Sequence, residues 1–229
     1  MASIAANLQA VRSRIARAAQ AAHRDSGDIA LVAVSKTFPA AHIAEAFAAG
    51  QTAFGENHAQ EAVEKITVLA ALPLEWHFIG PIQSNKSRLI AERFHWVHSV
   101  DREKIAQRLN AARPDGAPPL NVCIQVNVSG EAAKSGVAPG EEAKLADAIA
   151  RLPWLKLRWL MAIPEPTTDV ALQRRRFALL RELKDGLATR GHVLNTLSMG
   201  MSDDLEAAIM EGATMVRVGT AIFGKRGKR

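Results

Sequence analysis

Short apolar segments rich in β-branched residues alternate with helical segments along the whole chain. We predict strands at 29–36, 52–55, 75–79, 95–100, 120–128, 156–163, 193–197 and 214–218. Eight strands that alternate with helices, with no linker-like break, predict one closed (β/α)8 TIM barrel over residues 1–229. An open doubly wound sheet is the alternative, but no glycine-rich dinucleotide fingerprint follows the first strand.

Two helix starts can be read from local patterns. Within residues 1–25, Ile4, Leu8, Val11 and Ile15 fall at helical spacing and predict an extra N-terminal helix that covers the barrel. The same stretch is rich in Ala, Ser and Arg, so a transit peptide stays open as the other interpretation. After the fourth strand, Asp101 is predicted to be the N-cap of the next helix.

Composition limits the partners that we expect. A single cysteine, Cys123, excludes a disulfide framework or a cysteine metal site and suits a reducing, cytoplasmic location. The apolar runs are too short to span a membrane. The net charge of +6 is densest in the basic tail 225–229, which we interpret as a solvated end, with a nucleic-acid arm as the alternative. No histidine pair has metal-ligand spacing with carboxylates, so we expect no metal site.

The first predicted strand ends in a lysine, Lys36. An ammonium group at the end of a buried strand is costly unless it is paired, solvated or neutralised. Lys36 could extend to solvent at the mouth of the barrel. Alternatively, it is a desolvated amine with a lowered pKa, able to form a Schiff base with an aldehyde.

A second cation, Arg217, is predicted beside Lys36. Strands one and eight are neighbours in a closed barrel, so interior-facing Lys36 and Arg217 would stand at the same end, about 5 Å apart laterally. The guanidinium would then lower the pKa of the lysine. The alternative for Arg217 is a salt bridge to a carboxylate at the mouth, such as Glu56 or Glu165.

Small and polar residues follow the last two strands, where TIM barrels commonly bind phosphate. These are the segments 198–200 and 219–222, which combine glycines with hydroxyl groups. Each segment alone is ordinary turn chemistry. Together with an inward lysine they describe a ligand that carries both an aldehyde and a phosphate, which is pyridoxal 5′-phosphate (PLP).

Five long motifs closely resemble the pyridoxal phosphate homeostasis protein family, which is related in fold to the N-terminal barrel of alanine racemase. They are 33–37 (AVSKT), 54–57 (FGEN), 77–86 (HFIGPIQSNK), 197–204 (LSMGMSDD) and 216–224 (VRVGTAIFG). The resemblance implies that Lys36 carries PLP as a covalent aldimine and that Arg217 faces the pyridine nitrogen. It further implies phosphate contacts from Ser198, Gly219 and Thr220, and a pocket lined by Asn57, His77 and Met199.

The resemblance implies a protein that binds, buffers or delivers PLP and affects amino-acid and keto-acid balance without turnover. A two-base racemase of this fold takes a tyrosine from an additional β-domain, whereas this sequence contains no tyrosine and leaves no residues for that domain. An arginine at the pyridine nitrogen also makes the ring a poorer sink for carbanion charge. A single-domain PLP-dependent amino-acid racemase remains the alternative.

The expected partners are PLP, other B6 vitamers and, transiently, PLP-dependent apoenzymes. We expect a monomer that binds neither nucleic acid nor membrane. Lys86 is interpreted as a solvated lysine at a helix start, with a second phosphate contact, or a second lysine for the ligand, as the alternative.

Overall fold

The protein, seen in a computed structural model, is described over residues 3–131, 135–192 and 196–224. Its strands close into a parallel barrel in chain order, and β1 pairs with both β2 and β8. The strands are β1 (Ala30–Val34), β2 (Ala53–Glu56), β3 (Glu75–Phe78), β4 (Trp96–Val100), β5 (Leu120–Gln125), β6 (Leu155–Met161), β7 (Thr196–Ser198) and β8 (Met215–Val218). The predicted (β/α)8 barrel is confirmed, and the open doubly wound sheet is excluded because the sheet closes on itself.

Helices form the outer layer of the barrel. They are α1 (Ile4–Ala21), α2 (Ala40–Ala48), α3 (Ala59–Val68), α4 (Ser87–Arg93), α5 (Glu103–Ala111), α6 (Glu142–Ile149), α7 (Val170–Thr189), α8 (Leu205–Met210) and α9 (Thr220–Phe223). The predicted N-cap of α5 is wrong. Its N-cap is Arg102, because the Asp101 carboxylate accepts a hydrogen bond from the Arg102 guanidinium at 2.6 Å instead of from the helix backbone.

The predicted N-terminal helix is confirmed, and it completes the outer layer between the first and last βα units. Its buried stripe contains the four predicted residues Ile4, Leu8, Val11 and Ile15. On one side Arg12 donates hydrogen bonds to the backbone oxygens of the turn after α2. In the part of the chain that the structure describes, β8 is followed by only the four-residue α9, so α1 packs where an eighth outer helix would lie.

The interior of the barrel contains polar as well as apolar side chains. Besides Val32 and Val34, it buries His77, His98 and Arg217, none of which exceeds 2% exposure. Among the described helices, including the long α1 and α7, none is both long and apolar enough to cross a membrane. The predicted basic tail 225–229, and the first three residues of the predicted seventh strand, lie outside the described residues.

Candidate cofactor-binding site

A cavity of about 360 Å³ opens at the carboxyl ends of the strands. Barrels of this kind place their functional sites at this end, because the loops that follow the strands meet there. The lining residues come from the ends of β1 and β8 and from the segments that follow β1, β2, β3, β6, β7 and β8: Val34, Lys36, Phe38, Asn57, Ile79, Gly80, Pro81, Ile163, Met201, Ser202, Asp203, Arg217, Gly219 and Thr220. The cavity therefore brings together Lys36, Asn57, Arg217, Gly219 and Thr220 of the predicted site.

The backbone around Lys36 is held on both sides. Lys36 lies in the loop after β1, whose last residue is Val34, and it does not belong to the strand as predicted. Immediately before it, the carbonyl oxygen of Ser35 accepts a hydrogen bond from Lys65 Nζ at 3.0 Å. Immediately after it, the backbone N–H of Thr37 donates to Glu61 Oε1 at 2.7 Å. These contacts fix the direction in which the Lys36 side chain leaves the backbone.

Thr37 adopts a backbone conformation that costs energy. Its φ of +70° lies in the left-handed region, which β-branched residues rarely occupy. Such strain, of order 1–3 kcal/mol, persists only where the surrounding structure enforces it, and it clusters at functional sites. Here the hydrogen bond to Glu61 holds the turn that sends Lys36 into the cavity.

A buried ionic group supports this loop, and we call Ser35, Glu56, Glu61 and Lys65 the Lys65 cluster. Lys65 Nζ lies 2.7 Å from a carboxylate oxygen of Glu56 and 2.7 Å from one of Glu61. The Ser35 hydroxyl donates to the same Glu56 oxygen at 2.7 Å. Burial raises the pKa of Glu56, because the ionised form is desolvated, and Lys65 offsets this effect only in part.

Arg217 reaches across the barrel interior. Its Nη1 donates to Ser198 Oγ at 2.6 Å and its Nη2 donates to the carbonyl oxygen of Ala162 at 2.8 Å. Burial lowers the pKa of the guanidinium to about 10, which still leaves it cationic at neutral pH. With five N–H donors in all, the side chain keeps further donors for the cavity that it lines.

Two sequence expectations about Arg217 are wrong. In the sheet register it lies opposite Val32, four residues before Lys36, so the two cations do not stand at the same level. The alternative, a salt bridge to Glu56 or Glu165, also fails, since Glu56 pairs with Lys65 and Glu165 pairs with Arg176. Both cations nevertheless line one cavity.

Ser202, Gly219 and Thr220 form a polar end of the cavity. A Cβ atom on Gly219 would lie 3.1 Å from the carbonyl oxygen of Val34, so the end of β1 packs directly against this glycine. Ser198, the predicted phosphate contact, is fully buried, and its hydroxyl hydrogen-bonds to Arg217 and His98. Ser202 takes its place in the lining; the sequence signal was a hydroxyl in the loop after the seventh strand.

Of the other three predicted lining residues, one lines the cavity and two do not. Asn57 lines the cavity, and its buried Oδ1 has no hydrogen-bond partner within the described residues. His77 and Met199 are fully buried and are not among the residues that line the cavity. Gly80 packs so closely on Asn57 that a Cβ atom would lie 2.3 Å from the Asn57 carbonyl oxygen.

Lys86 lies at a neighbouring cavity of about 270 Å³, which shares Asn57 and Pro81 with the main one. The only cysteine, Cys123, is buried in the barrel, and burial raises the pKa of its thiol. Within the described ranges, no group of histidine, cysteine and acidic side chains is arranged to hold a metal ion.

The lining residues fit PLP chemically. Lys36 supplies an amine for the aldehyde, and Arg217 supplies donors for the acceptor nitrogen of the pyridine ring. Hydroxyl groups and a glycine form an end suited to a phosphate, and the unpartnered Asn57 oxygen can accept a hydrogen bond from a ligand donor. The cavity has the size of a small-ligand site.

Comparison with known proteins agrees with this chemistry. The alanine racemase N-terminal domain family matches residues 6–227. A pyridoxal phosphate homeostasis protein from Pseudomonas aeruginosa is 64% identical over 226 residues, which cover 99% of this chain and 97% of the relative. PipY from Synechococcus elongatus, solved with PLP bound, has a TM-score of 0.85 at 37% identity, covering 97% of this chain and 100% of PipY. An alanine racemase from Clostridium difficile shares the fold, with a TM-score of 0.75 at 16% identity, but only 57% of its length is matched.

Proposed function

The chain belongs to the pyridoxal phosphate homeostasis protein family, which has the alanine racemase N-terminal fold, and from this premise we propose that it binds PLP in the main cavity and serves PLP homeostasis. One observation carries the proposal: a single cavity is lined by Lys36, by Arg217 and by the polar end that Ser202, Gly219 and Thr220 form.

In the proposed complex each residue has one task. The Lys36 amine holds the ligand aldehyde as a Schiff base. Arg217 donates to the ring nitrogen, while Ser202, Gly219 and Thr220 contact the phosphate. Asn57 contacts a polar substituent through its unpartnered oxygen. Bound PLP would supply a reactive aldehyde that is sequestered from other amines until it is released.

We further propose that the protein holds and delivers PLP without steady turnover. The ionisable residues in the described lining are Lys36, Asp203 and Arg217, and Asp203 is solvent-exposed. A cationic donor at the ring nitrogen disfavours its protonation, which weakens the ring as an electron sink. PLP-dependent apoenzymes in the cytoplasm are the proposed recipients, because a Schiff base to lysine is reversible.

The first test is covalent trapping. Native protein incubated with PLP should absorb in the visible, and borohydride should fix the ligand to the peptide that contains Lys36. Lys36→Ala should lose both signals, whereas Lys86→Ala, at the neighbouring cavity, should keep them. A Lys36→Ala variant that is trapped as efficiently as the native protein would assign the anchor to another lysine.

The second test concerns turnover. Native protein loaded with PLP is incubated with single-enantiomer amino acids, and the products are separated by chiral chromatography. We expect no more than one molar equivalent of product per protein. Formation of the opposite enantiomer over many turnovers would identify a single-domain racemase instead of a carrier.

A further inference from the structure

A continuous chain of hydrogen bonds crosses the barrel interior from the cavity to the opposite end. It joins Arg217, Ser198, His98, His77 and Glu75, and we call it the interior chain. The contacts are 2.6 Å from Arg217 Nη1 to Ser198 Oγ, 2.9 Å from Ser198 Oγ to His98 Nδ1, 2.9 Å from His98 Nε2 to His77 Nδ1, and 2.7 Å from His77 Nε2 to Glu75 Oε1. Ser198 and both histidines are completely buried, while the Glu75 side chain is 49% exposed.

The interior chain can satisfy every contact in one direction only. The Glu75 carboxylate accepts, so His77 carries its proton on Nε2 and accepts on Nδ1. His98 then donates from Nε2 and accepts on Nδ1 from the Ser198 hydroxyl. The Ser198 oxygen in turn accepts from Arg217. Both histidines are neutral in this arrangement, and burial lowers the pKa of each, in agreement with it.

Packing keeps the interior chain rigid. The His77 ring stacks on the Trp96 ring at 8° between planes with centroids 5.5 Å apart, and Trp96 also hydrogen-bonds to the Glu75 carboxylate. At the far end, the Arg217 guanidinium is held by a second contact, to the carbonyl oxygen of Ala162. Arg217 therefore has one orientation in which Nη1 and Nη2 are both satisfied and its remaining donors stay available to the cavity.

We propose that Glu75, His77, His98 and Ser198 are positioning residues that orient Arg217 for the ring nitrogen of PLP and thereby make the site selective for a pyridine ring. The inference rests on the proposed function. A fixed donor in a buried site favours a ligand with an acceptor at that point, because a ligand without one leaves the donor unpaired. Without the interior chain the guanidinium could turn away, and the site would lose this selectivity.

The experiment compares two ligands: PLP and its deaza analogue, in which a C–H group replaces the ring nitrogen. Dissociation constants are measured by fluorescence titration for the native protein, Ser198→Ala and Glu75→Leu. The native protein should prefer PLP by about tenfold or more, the usual effect of one buried hydrogen-bond donor left unpaired. Ser198→Ala should bring the preference for PLP close to unity. Glu75→Leu, changed at the exposed end of the interior chain, should reduce the preference at least twofold, which is about the smallest change that such a titration resolves. Circular dichroism should show that both variants keep the native fold.

The outcomes separate the claims. If both variants weaken the two ligands in parallel and keep the native preference, the interior chain has only a structural role and the inference is overturned. If the native protein binds both ligands equally, the site does not recognise the ring nitrogen. This result overturns the inference but leaves PLP binding intact. If the native protein binds neither ligand, the proposed function itself fails.

Discussion

The Lys65 cluster shows how much can depend on single buried residues. Lys65 forms an ion pair with Glu56 and supports both neighbours of Lys36 through Ser35 and Glu61. We expect Lys65→Met to lower the free energy of unfolding by about 3 kcal/mol, because the Glu56 carboxylate stays buried without its partner. Urea unfolding monitored by circular dichroism measures this change.

Two further variants test the cause. Removing both partners in Lys65→Met/Glu56→Gln should recover most of the loss, since the carboxylate that still lacks Lys65, that of Glu61, is partly exposed to water. In contrast, Arg88→Met removes an exposed ion pair with Glu92 on α4 and should change the stability by less than about 0.5 kcal/mol. Equal losses in the Lys65 single and double variants would show that the ion pair is not what stabilises this loop.

Gly80 is the residue on which the position of Asn57 depends. Since a Cβ atom at Gly80 would overlap the Asn57 carbonyl oxygen, Gly80→Ala must displace the loop after β2 that lines the cavity. We expect this variant to weaken PLP binding by about tenfold, the cost of one lost hydrogen bond to a buried group. Gly186→Ala on α7, where nothing lies within 4 Å of the added Cβ, is the matched control and should bind PLP like the native protein. Similar PLP affinity in both variants would contradict the prediction.

At the residue scale, the sequence predicted the right chemistry more reliably than the right neighbours. It identified Lys36, Arg217, Gly219 and Thr220, which all line the cavity. The height of Arg217 along the barrel axis was predicted wrongly, because neighbouring strands in a closed barrel are staggered. Counting residues from the strand ends ignores this stagger. The prediction chose Ser198 over Ser202, because a pattern cannot reveal that a hydroxyl is already occupied by interior partners.

Helix α1 is the element whose loss should matter most to the fold. It packs against α2, α8 and α9, and the loss of α1 would expose the apolar surface that its buried stripe covers. We expect Leu8→Ala to cost about 2–5 kcal/mol in unfolding free energy, as for other fully buried leucines. Gln9→Ala, on the exposed side of the same turn, should stay within about 0.5 kcal/mol of the native value. If the two variants melt alike, α1 is not part of the cooperative core.

At the element scale, the existence and order of strands and helices were predictable, but their ends were not. Strand β1 stops two residues earlier than predicted, because Thr37 turns the chain in a left-handed conformation that hydrophobicity does not encode. Strand β5 likewise ends at Gln125, although the apolar run continues to Val128.

The whole molecule combines a predictable architecture with an interior that the sequence did not predict. The alternation of eight strands with helices predicts a parallel sheet that is covered on both faces, and the lack of a glycine-rich dinucleotide fingerprint after the first strand favours the closed barrel over the doubly wound sheet. Which polar groups meet inside depends on barrel stagger and side-chain direction. The sequence therefore gave no sign that His77 and His98 lie in hydrogen-bonding contact.

These buried histidines predict how the stability of the whole molecule depends on pH. Burial lowers the folded-state pKa of His77 and His98 below the ordinary value near 6.5, so the unfolded chain binds more protons than the folded one between those values. The stability that the two neutral histidines contribute is fully present above pH 6.5 and is lost as the pH falls toward their lowered pKa values. The expected slope is about 1.4 kcal/mol per pH unit for each histidine. Urea unfolding at pH 8, 6.5 and 5 measures it.

A comparison of variants isolates this effect from the carboxylates. The raised pKa of Glu56 acts in the opposite direction, because its uptake of a proton in the folded state stabilises the protein as pH falls, but this contribution is common to every variant. His98→Gln removes one buried imidazole. Between pH 6.5 and 5 the free energy of unfolding of this variant should therefore fall less steeply than that of the native protein, by about 1.4 kcal/mol per pH unit. Gln9→Ala, which changes no titratable group, should keep the native slope. If His98→Gln also keeps it, the buried imidazole takes up its proton as readily in the folded barrel as in the unfolded chain, and the neutral, one-directional interior chain loses its physical basis.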